Sequence, residues 1–163
     1  MGPALLTVGV ADASAEVVGQ VGAIWARARN RRDGTAPPSA TDCEDAASGV
    51  RRRLALEGAT VLLARRDDDV VGFALFAPNA RAIEVFYLAV HPDVWRTGVA
   101  HALLREVDDT VRARGRTSVE LWVVDDNARA IGVYERAGYA STEDRVTDPT
   151  SGRVERRLVR ELG

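Results

Sequence analysis

Residues 81–90 constrain the fold more than any other part of the chain. The segment is apolar at nearly every position, and it leads into a glycine-containing loop and a helix. A strand that is apolar on both faces is typical of the centre of a sheet covered on both sides. The helix predicted over 98–114 carries one apolar stripe, formed by Ala100, Leu103, Leu104, Val107 and Val111. The pattern predicts a buried central strand that runs directly into a helix packed on the sheet.

Hydrophobic periodicity and turn residues divide the rest of the chain into strands and helices. We predict strands at 4–10, 60–66, 70–77 and 117–124, helices at 13–29, 43–57 and 127–137, a loop at 30–42, an acidic hairpin turn at 67–69, and two further strands within 139–161. The predicted order is β-α-α-β-β-β-α-β-α-β-β. This order indicates one domain over 1–163 in the α/β (α+β) class, a mixed sheet with helices on both faces.

Charge and composition exclude several classes of function. The 163 residues include 22 basic and 24 acidic side chains, so the chain has no strong field for nucleic acid or a membrane surface. Every basic residue is arginine, which leaves no lysine side chain to acylate. One cysteine, Cys43, cannot form an intrachain disulfide, and the first ten residues do not have the pattern of a signal peptide. We therefore expect a cytoplasmic protein without membrane spans.

The loop Trp95-Arg96-Thr97-Gly98-Val99-Ala100 has the features of an anion site. The first amides of a helix have no partner within the helix, and the helix dipole adds partial positive charge there. A P-loop requires a lysine and a Rossmann site requires three ordered glycines, and this loop has neither. An ordinary strand-to-helix turn without a ligand remains the alternative.

Asn127 and Tyr134 are seven residues apart and share one face of the predicted helix, with the small Ala130 between them. A phenol beside a thioester is suited to protonate the leaving thiolate, because the two pKa values, ~10 and ~8.5, lie close together. Asn127 also suits a plain helix N-cap, and Tyr134 a half-buried aromatic residue.

The loop at 95–100 and the helix that carries Asn127 and Tyr134 resemble motifs of the GCN5-related N-acetyltransferase (GNAT) superfamily. The resemblance covers residues 60–139. The family's pyrophosphate loop, Q/R-x-x-G-x-G/A, falls on 95–100, where Gly98 and Ala100 match and Trp95 replaces the usual Gln or Arg. The second signature, N-x-x-A-x-x-x-Y-x-x-x-G-[FY], matches at Asn127, Ala130, Tyr134, Gly138 and Tyr139. The resemblance implies that the strands ending near 90 and 124 splay apart to admit acetyl-CoA.

The resemblance also assigns cofactor contacts to particular residues. It implies that the backbone amide of Val90 holds the thioester carbonyl, that the loop amides hold the pyrophosphate and that Tyr134 is the acid. Arg96 or Arg129 would reach the 3′-phosphate, although solvated arginines are the alternative. The full predicted cofactor set comprises Leu88, Ala89, Val90, Trp95, Arg96, Thr97, Gly98, Val99, Ala100, Asn127, Arg129, Ala130 and Tyr134.

The general base is predicted to be Glu84, a carboxylate in an otherwise apolar strand and in register with Phe86, Leu88 and Val90. A strand-end residue paired with arginine is the alternative. Some relatives carry a catalytic Glu in the next strand, where this chain has Trp122. The two histidines have no clustered carboxylate or cysteine, so no metal site is predicted.

The acceptor wall is expected in residues 11–58, which contain Trp25 and a basic rim formed by Arg27, Arg29, Arg31 and Arg32. With Glu84 and Trp122, Trp25 and Arg29 form the predicted acceptor site, unless the rim is only a solvated helix face. The first hypothesis is direct acetyl transfer to a small primary amine in a ternary complex. A non-catalytic acyl-CoA-binding module, a structural protein on the same scaffold and transfer of another acyl group are the alternatives. The terminal strand pair offers an edge for a homodimer.

Overall fold

The structure is a computed structural model that describes residues 5–163. Its seven strands are β1 (Leu6–Ala11), β2 (Thr60–Arg66), β3 (Asp69–Pro78), β4 (Ile83–Val90), β5 (Ser118–Val124), β6 (Ala140–Thr147) and β7 (Val154–Glu161). Its four α-helices are α1 (Ala15–Asp33), α2 (Ala40–Leu54), α3 (Val99–Ala113) and α4 (Ala128–Arg136), with a short 3₁₀ turn at Pro92–Val94. The predicted element order and the mixed α/β class are confirmed.

The strands form one sheet in the order β1-β2-β3-β4-β5-β7-β6. All neighbours are antiparallel except β4 and β5, which are parallel, and the apolar strand β4 is central as predicted. One core lies between the sheet and α3 with α4, around Leu103, Val107 and Ile131. The other lies between the sheet and α1 with α2, around Val21 and Phe73. The sheet is thus covered on both faces.

Helix ends differ from the predictions because local capping decides them. The loop predicted over 30–42 is shorter, since α1 continues to Asp33 and Gly34 ends it in the left-handed conformation, with φ 70°. Ser39 and Asp42 form a reciprocal capping box that starts α2 at Ala40 rather than at 43. The predicted strand at 4–10 is found at Leu6–Ala11, and residue 4 lies outside the described residues.

A bulge in β4 shifts the strand by one residue. Leu75 pairs with Tyr87 and Phe76 pairs with Val85, which leaves Phe86 extra. Phe86 and Tyr87 therefore both pack on the side of α1 and α2, whereas Leu88 and Val90 belong to the opposite core. The expectation that Glu84 shares one face with Leu88 and Val90 is wrong for this reason.

Within residues 5–163, none of the helices combines the length and the apolar character that a membrane span requires.

Candidate functional site

A cleft opens in the middle of the sheet where β4 and β5 separate. The two strands pair only at three positions, Ile83 to Val85 against Val119 to Leu121. Beyond these positions each strand has a free edge facing the gap, as predicted for strands that splay. The resulting cleft has a volume of about 650 Å³ and runs from the start of α3 to the end of α1. An extended ligand can therefore lie between the strands and hydrogen-bond to both.

The loop before α3 presents unpaired amides at one end of the cleft. Gly98 is the N-cap residue of α3, with φ 91°, and none of the side chains in residues 5–163 caps the helix. Within the described residues, the backbone amides of Arg96, Thr97 and Gly98 donate no hydrogen bond. A Cβ built on Gly98 would meet nothing within 4 Å, so open space lies beside the loop. These features suit a bound anion such as pyrophosphate.

Trp95 links the loop to both sides of the cleft. Its indole Nε1 donates to the carbonyl oxygen of Val90 over 2.7 Å, at the end of β4. From α4, the guanidinium carbon of Arg129 lies 3.7 Å from the centroid of the Trp95 ring. Partial burial and the nearby charge of Arg96 lower the pKa of Arg129, and the Tyr134 phenol opposes this shift. Trp95, which replaces the usual Gln or Arg, thus contributes a hydrogen bond and a cation-π stack.

Tyr134 lies on the cleft wall and is buried. Burial raises its pKa to about 12, and the positive charge of Arg129 partly opposes that rise. Its hydroxyl makes no hydrogen bond to any described residue, which leaves the proton free for a ligand. Asn127 caps α4, because its Oδ1 accepts from the amide of Ala130 over 3.2 Å, and it also lines the cleft. The cap role and a ligand contact are therefore compatible.

The cleft gathers nearly all of the residues that the sequence predicted for the cofactor. The lining residues among them are Leu88, Ala89, Val90, Trp95, Arg96, Gly98, Val99, Ala100, Asn127, Arg129, Ala130 and Tyr134. Thr97 is not among them, because its hydroxyl donates to Val94 O over 2.6 Å and accepts from Arg66. Its side chain is used inside the protein, which leaves only its backbone amide for a ligand.

Glu84 lies outside the residues that line the cleft. It is half-buried, and Asn79 donates to its carboxylate over 3.3 Å. Burial raises the pKa of Glu84, the hydrogen bond from Asn79 opposes the rise, and the charge of Glu120 adds to it. The carboxylate therefore has the raised proton affinity expected of a base, but it lies within the short segment where β4 and β5 still pair.

Glu120, which no sequence pattern singled out, is the buried neighbour of Glu84. Only 1% of Glu120 is exposed, and it pairs in register with Glu84 across the parallel strands. It accepts hydrogen bonds from Arg81 over 2.9 Å, from Arg157 over 3.1 Å and from Asn79 over 2.5 Å. All of its bonding capacity is used inside the protein, which gives Glu120 a structural role.

The other end of the cleft is formed by α1 and by the hairpin between β6 and β7. Three of the predicted acceptor residues, Trp25, Arg29 and Trp122, lie on this wall. Asp148 and Glu155 join them from the hairpin side. Arg153 of the hairpin contacts Asp33 at the end of α1 over 2.8 Å, which holds the hairpin beside the helix. Neither Asp148 nor Glu155 was expected here, since the tail gave only a strand pattern.

No group of three or more metal-binding side chains occurs within the part of the chain that the structure describes.

Comparison with known proteins places this cleft in a family context. The sequence pattern of the family described as "Acetyltransferase (GNAT) family" matches residues 22–139, which include the loop, β4, β5 and α4. The fold is similar to that of the ribosomal-protein-S18-alanine N-acetyltransferase from Escherichia coli, with a TM-score of 0.74 and 20% identity over 98% of this chain and 95% of that one.

Two further solved structures share the fold. The PaiA N-acetyltransferase from Thermoplasma acidophilum, solved in complex with coenzyme A, has a TM-score of 0.72 and 16% identity over 96% of this chain and 99% of that one. An acetyltransferase from Thermus thermophilus has a TM-score of 0.76 and 16% identity over 99% of this chain and 100% of that one. The matched family pattern spans most of the chain and contains the loop and the tyrosine, so the protein belongs to the GNAT family of acetyltransferases, enzymes that use acetyl-CoA.

Proposed function

We propose that this protein is a cytoplasmic N-acetyltransferase that transfers the acetyl group of acetyl-CoA to a small primary amine by direct attack in a ternary complex. The observation that carries the proposal is the cleft itself. It has unpaired amides at one end, the free Tyr134 hydroxyl along its wall and an open acceptor end against α1. When bound, acetyl-CoA supplies an activated thioester.

At the end of the cleft that would bind acetyl-CoA, different residues bind and orient the cofactor. The amides of 96–100 hold the pyrophosphate, and Arg129 lies near enough to the loop to add positive charge. The Trp95 hydrogen bond to Val90 O fixes the end of β4. That bond orients the Val90 amide, which acts as the donor toward the thioester carbonyl. Asn127 Nδ2 donates to none of the described residues and remains available to the pantetheine arm, since the cap uses Oδ1.

Tyr134 holds the proton that the departing sulfur takes up. With a pKa of about 12, the hydroxyl stays protonated across the neutral range. A thiol has a pKa of ~8.5, so the isolated proton transfer is uphill by about 5 kcal/mol. That pKa already includes the positive charge of Arg129, which stabilises the phenolate and keeps the cost from being larger. The buried position of Tyr134 keeps water from competing for the proton.

Glu84 is the proposed base, and it acts through water. Its carboxylate stands outside the cleft lining, so direct contact with the amine is not part of the proposal. The raised pKa of Glu84 narrows the gap to an alkylammonium pKa of ~10.4, although the gap stays large. A water chain from the acceptor end can carry the proton to a carboxylate held ready by Asn79.

Two measurements together test the proposed function. Acetyl-CoA and CoA should each raise the thermal midpoint, by several degrees at 100 times the dissociation constant, because such binding adds about 2.7 kcal/mol. ATP should not. Thiol release from acetyl-CoA should then depend on an added primary amine. Equal stabilisation by ATP and acetyl-CoA would remove the cofactor assignment for the cleft, and amine-independent thiol release would remove the acceptor class.

A further inference from the structure

Glu155 is a carboxylate on the acceptor wall without a partner among the described residues. It sits on β7 directly across from Val124, the last residue of β5. The side chain forms no hydrogen bond and no ion pair there, although ten arginine–carboxylate ion pairs occur elsewhere in the described chain. Nearby Arg32 is already engaged, since it contacts both carboxylate oxygens of its neighbour Asp33.

The direction of the Glu155 side chain follows from its neighbours along β7. Arg156 reaches Asp125 over 2.7 Å on one face of the sheet, whereas Arg157 reaches Glu120 on the other. Side chains alternate along a strand, so Glu155 shares the face of Arg157. Arg157 pairs in register with Trp122, which lines the acceptor end. Glu155 therefore stands one step further along the same surface, toward the open end of the cleft.

The charges that face Glu155 do not neutralise it. Burial raises its pKa, the carboxylate of Asp148 raises it further, and only Arg32 on α1 opposes the rise. A second carboxylate from the hairpin thus lies beside Glu155, and Arg32, the cation that lowers its pKa, is shared with Asp33. A positively charged group from outside the protein would supply the missing partner.

We propose that Glu155 docks the acceptor as its ammonium ion, so that the substrate class is an aliphatic amine rather than a neutral nucleophile such as an alcohol or an arylamine. This inference rests on the proposed acetyl transfer. Glu155 is a specificity residue here, because it holds the amine at the cleft wall, whereas proton removal is assigned to Glu84. The two roles predict different kinetic effects.

The experiment compares amines with alcohols of the same skeleton. Benzylamine, butylamine and 1,4-diaminobutane are titrated into the CoA-loaded protein, each beside its alcohol, and the thermal midpoint is followed. At least one amine should stabilise the wild type more than its alcohol does. Glu155→Gln should weaken that binding, and raise the amine KM in the thiol-release assay, by about tenfold with little change in kcat.

Two variants serve as controls. Glu143→Gln removes the same charge from an exposed position on β6 and should leave KM unchanged. Glu84→Gln should lower kcat and leave KM largely unchanged. The KM of the wild type should also rise as the pH falls through the raised pKa of Glu155, since the carboxylate is lost there, and Glu155→Gln should remove this dependence.

The inference is overturned if no amine stabilises the CoA-loaded protein more than its alcohol, or if Glu155→Gln binds the amines as the wild type does. A failure of the proposed function looks different, because acetyl-CoA itself would then give no selective stabilisation. A protein that binds acetyl-CoA and releases thiol with amines, but whose amine KM is the same in Glu155→Gln as in the wild type, would contradict only the role of Glu155.

Discussion

The environment of Tyr134 has two opposite effects on the pKa of its hydroxyl. Burial holds the phenol protonated, and Arg129 makes the loss of that proton less costly. Arg129 is itself held against the Trp95 ring, so the acid, the cation and the cofactor loop form one connected unit. The connection depends on Trp95, the residue at which this chain departs from its family's usual loop.

Replacing Tyr134 with Phe should lower kcat by about 10² to 10⁴, the usual worth of a positioned general acid, and leave the Kd of acetyl-CoA unchanged. Steady-state thiol release and calorimetric titration measure the two quantities. In the wild type, kcat should show no loss attributable to Tyr134 up to about pH 10, because a pKa of about 12 keeps the acid loaded there.

Tyr139 provides a matched control for this variant. Its ring centroid lies 5.7 Å from that of Tyr134, it is also buried, and its hydroxyl makes no hydrogen bond to the described residues. Tyr139→Phe should therefore keep the full kcat. Equal losses in the two variants would mean that packing, rather than proton donation, explains the effect.

The candidate site could be predicted from sequence where its residues follow one another along the chain. The loop and the first turns of α4 are local motifs, and they line the cleft as expected. Glu155 could not be found in this way, because Glu155 and Glu161 share one face of β7 and the sequence does not distinguish them. Only the tertiary position of the hairpin beside α1 brings Glu155 to the cleft.

At the scale of the element, the start of α3 is specialised for a ligand. Gly98 takes a left-handed conformation, and the space beside it is open. Gly98→Ala should cost about 1–2 kcal/mol of unfolding free energy through backbone strain. It should also weaken acetyl-CoA binding at least ~10-fold, because the methyl group and the relaxing loop disturb the amides that hold the anion. Urea unfolding and calorimetric titration measure the two effects.

Gly115 at the other end of α3 is the control. It is also left-handed, with φ 73°, and a Cβ there also meets open space. Gly115→Ala should cost similar stability and leave acetyl-CoA binding unchanged. If both variants lose the same affinity, strain in α3 explains the result and the loop is not the anion site.

The order and type of the elements followed from periodicity and capping residues, whereas the bulge at Phe86 did not. The segment 83–90 is apolar on both faces, so a shift by one residue leaves its hydrophobic pattern equally acceptable. Partner strands decide the register, and here the pairing with β3 places the extra residue just past the point where β4 leaves β5. Because of this register, Glu84 does not lie on the face of Leu88 and Val90, where the sequence pattern had placed it.

On the scale of the whole molecule, two half-sheets meet at a short seam. One contains β1 to β4 and the other β5 to β7, and three residue pairs join them. The Glu120 cluster reinforces the closed end of the seam. Arg81 and Asn79 come from the turn between β3 and β4, and Arg157 comes from β7, so one carboxylate binds both halves.

Glu120→Gln should lower the free energy of unfolding by about 3 kcal/mol near neutral pH, because Arg81 and Arg157 lose their buried counter-ion. Burial raises the pKa of Glu120, but the hydrogen bonds from Arg81 and Asn79 and the arginine charges outweigh burial, so the pKa lies below the ordinary 4.5. A lowered pKa contributes stability above pH 4.5, and that contribution disappears as the pH falls through the folded-state value.

Urea unfolding at neutral and acidic pH checks this prediction. The difference in unfolding free energy between the wild type and Glu120→Gln should be largest at pH 7 and become smaller at acidic pH. Glu161→Gln, which removes an exposed carboxylate from the neighbouring strand β7, should change stability little at either pH. If Glu120→Gln lowers the unfolding free energy by the same amount at both pH values, packing rather than charge stabilises the cluster.

The short seam also has a mechanical meaning. The two half-sheets are joined by three residue pairs and can hinge about them. A force that pulls the half-sheets apart at the open end of the cleft therefore acts first on the few hydrogen bonds of those pairs. An extended ligand bound in the gap would hydrogen-bond to both strands and distribute that force over more hydrogen bonds. Occupancy of the cleft would then determine how the protein yields to force, and the empty and filled forms would differ in stiffness more than in shape.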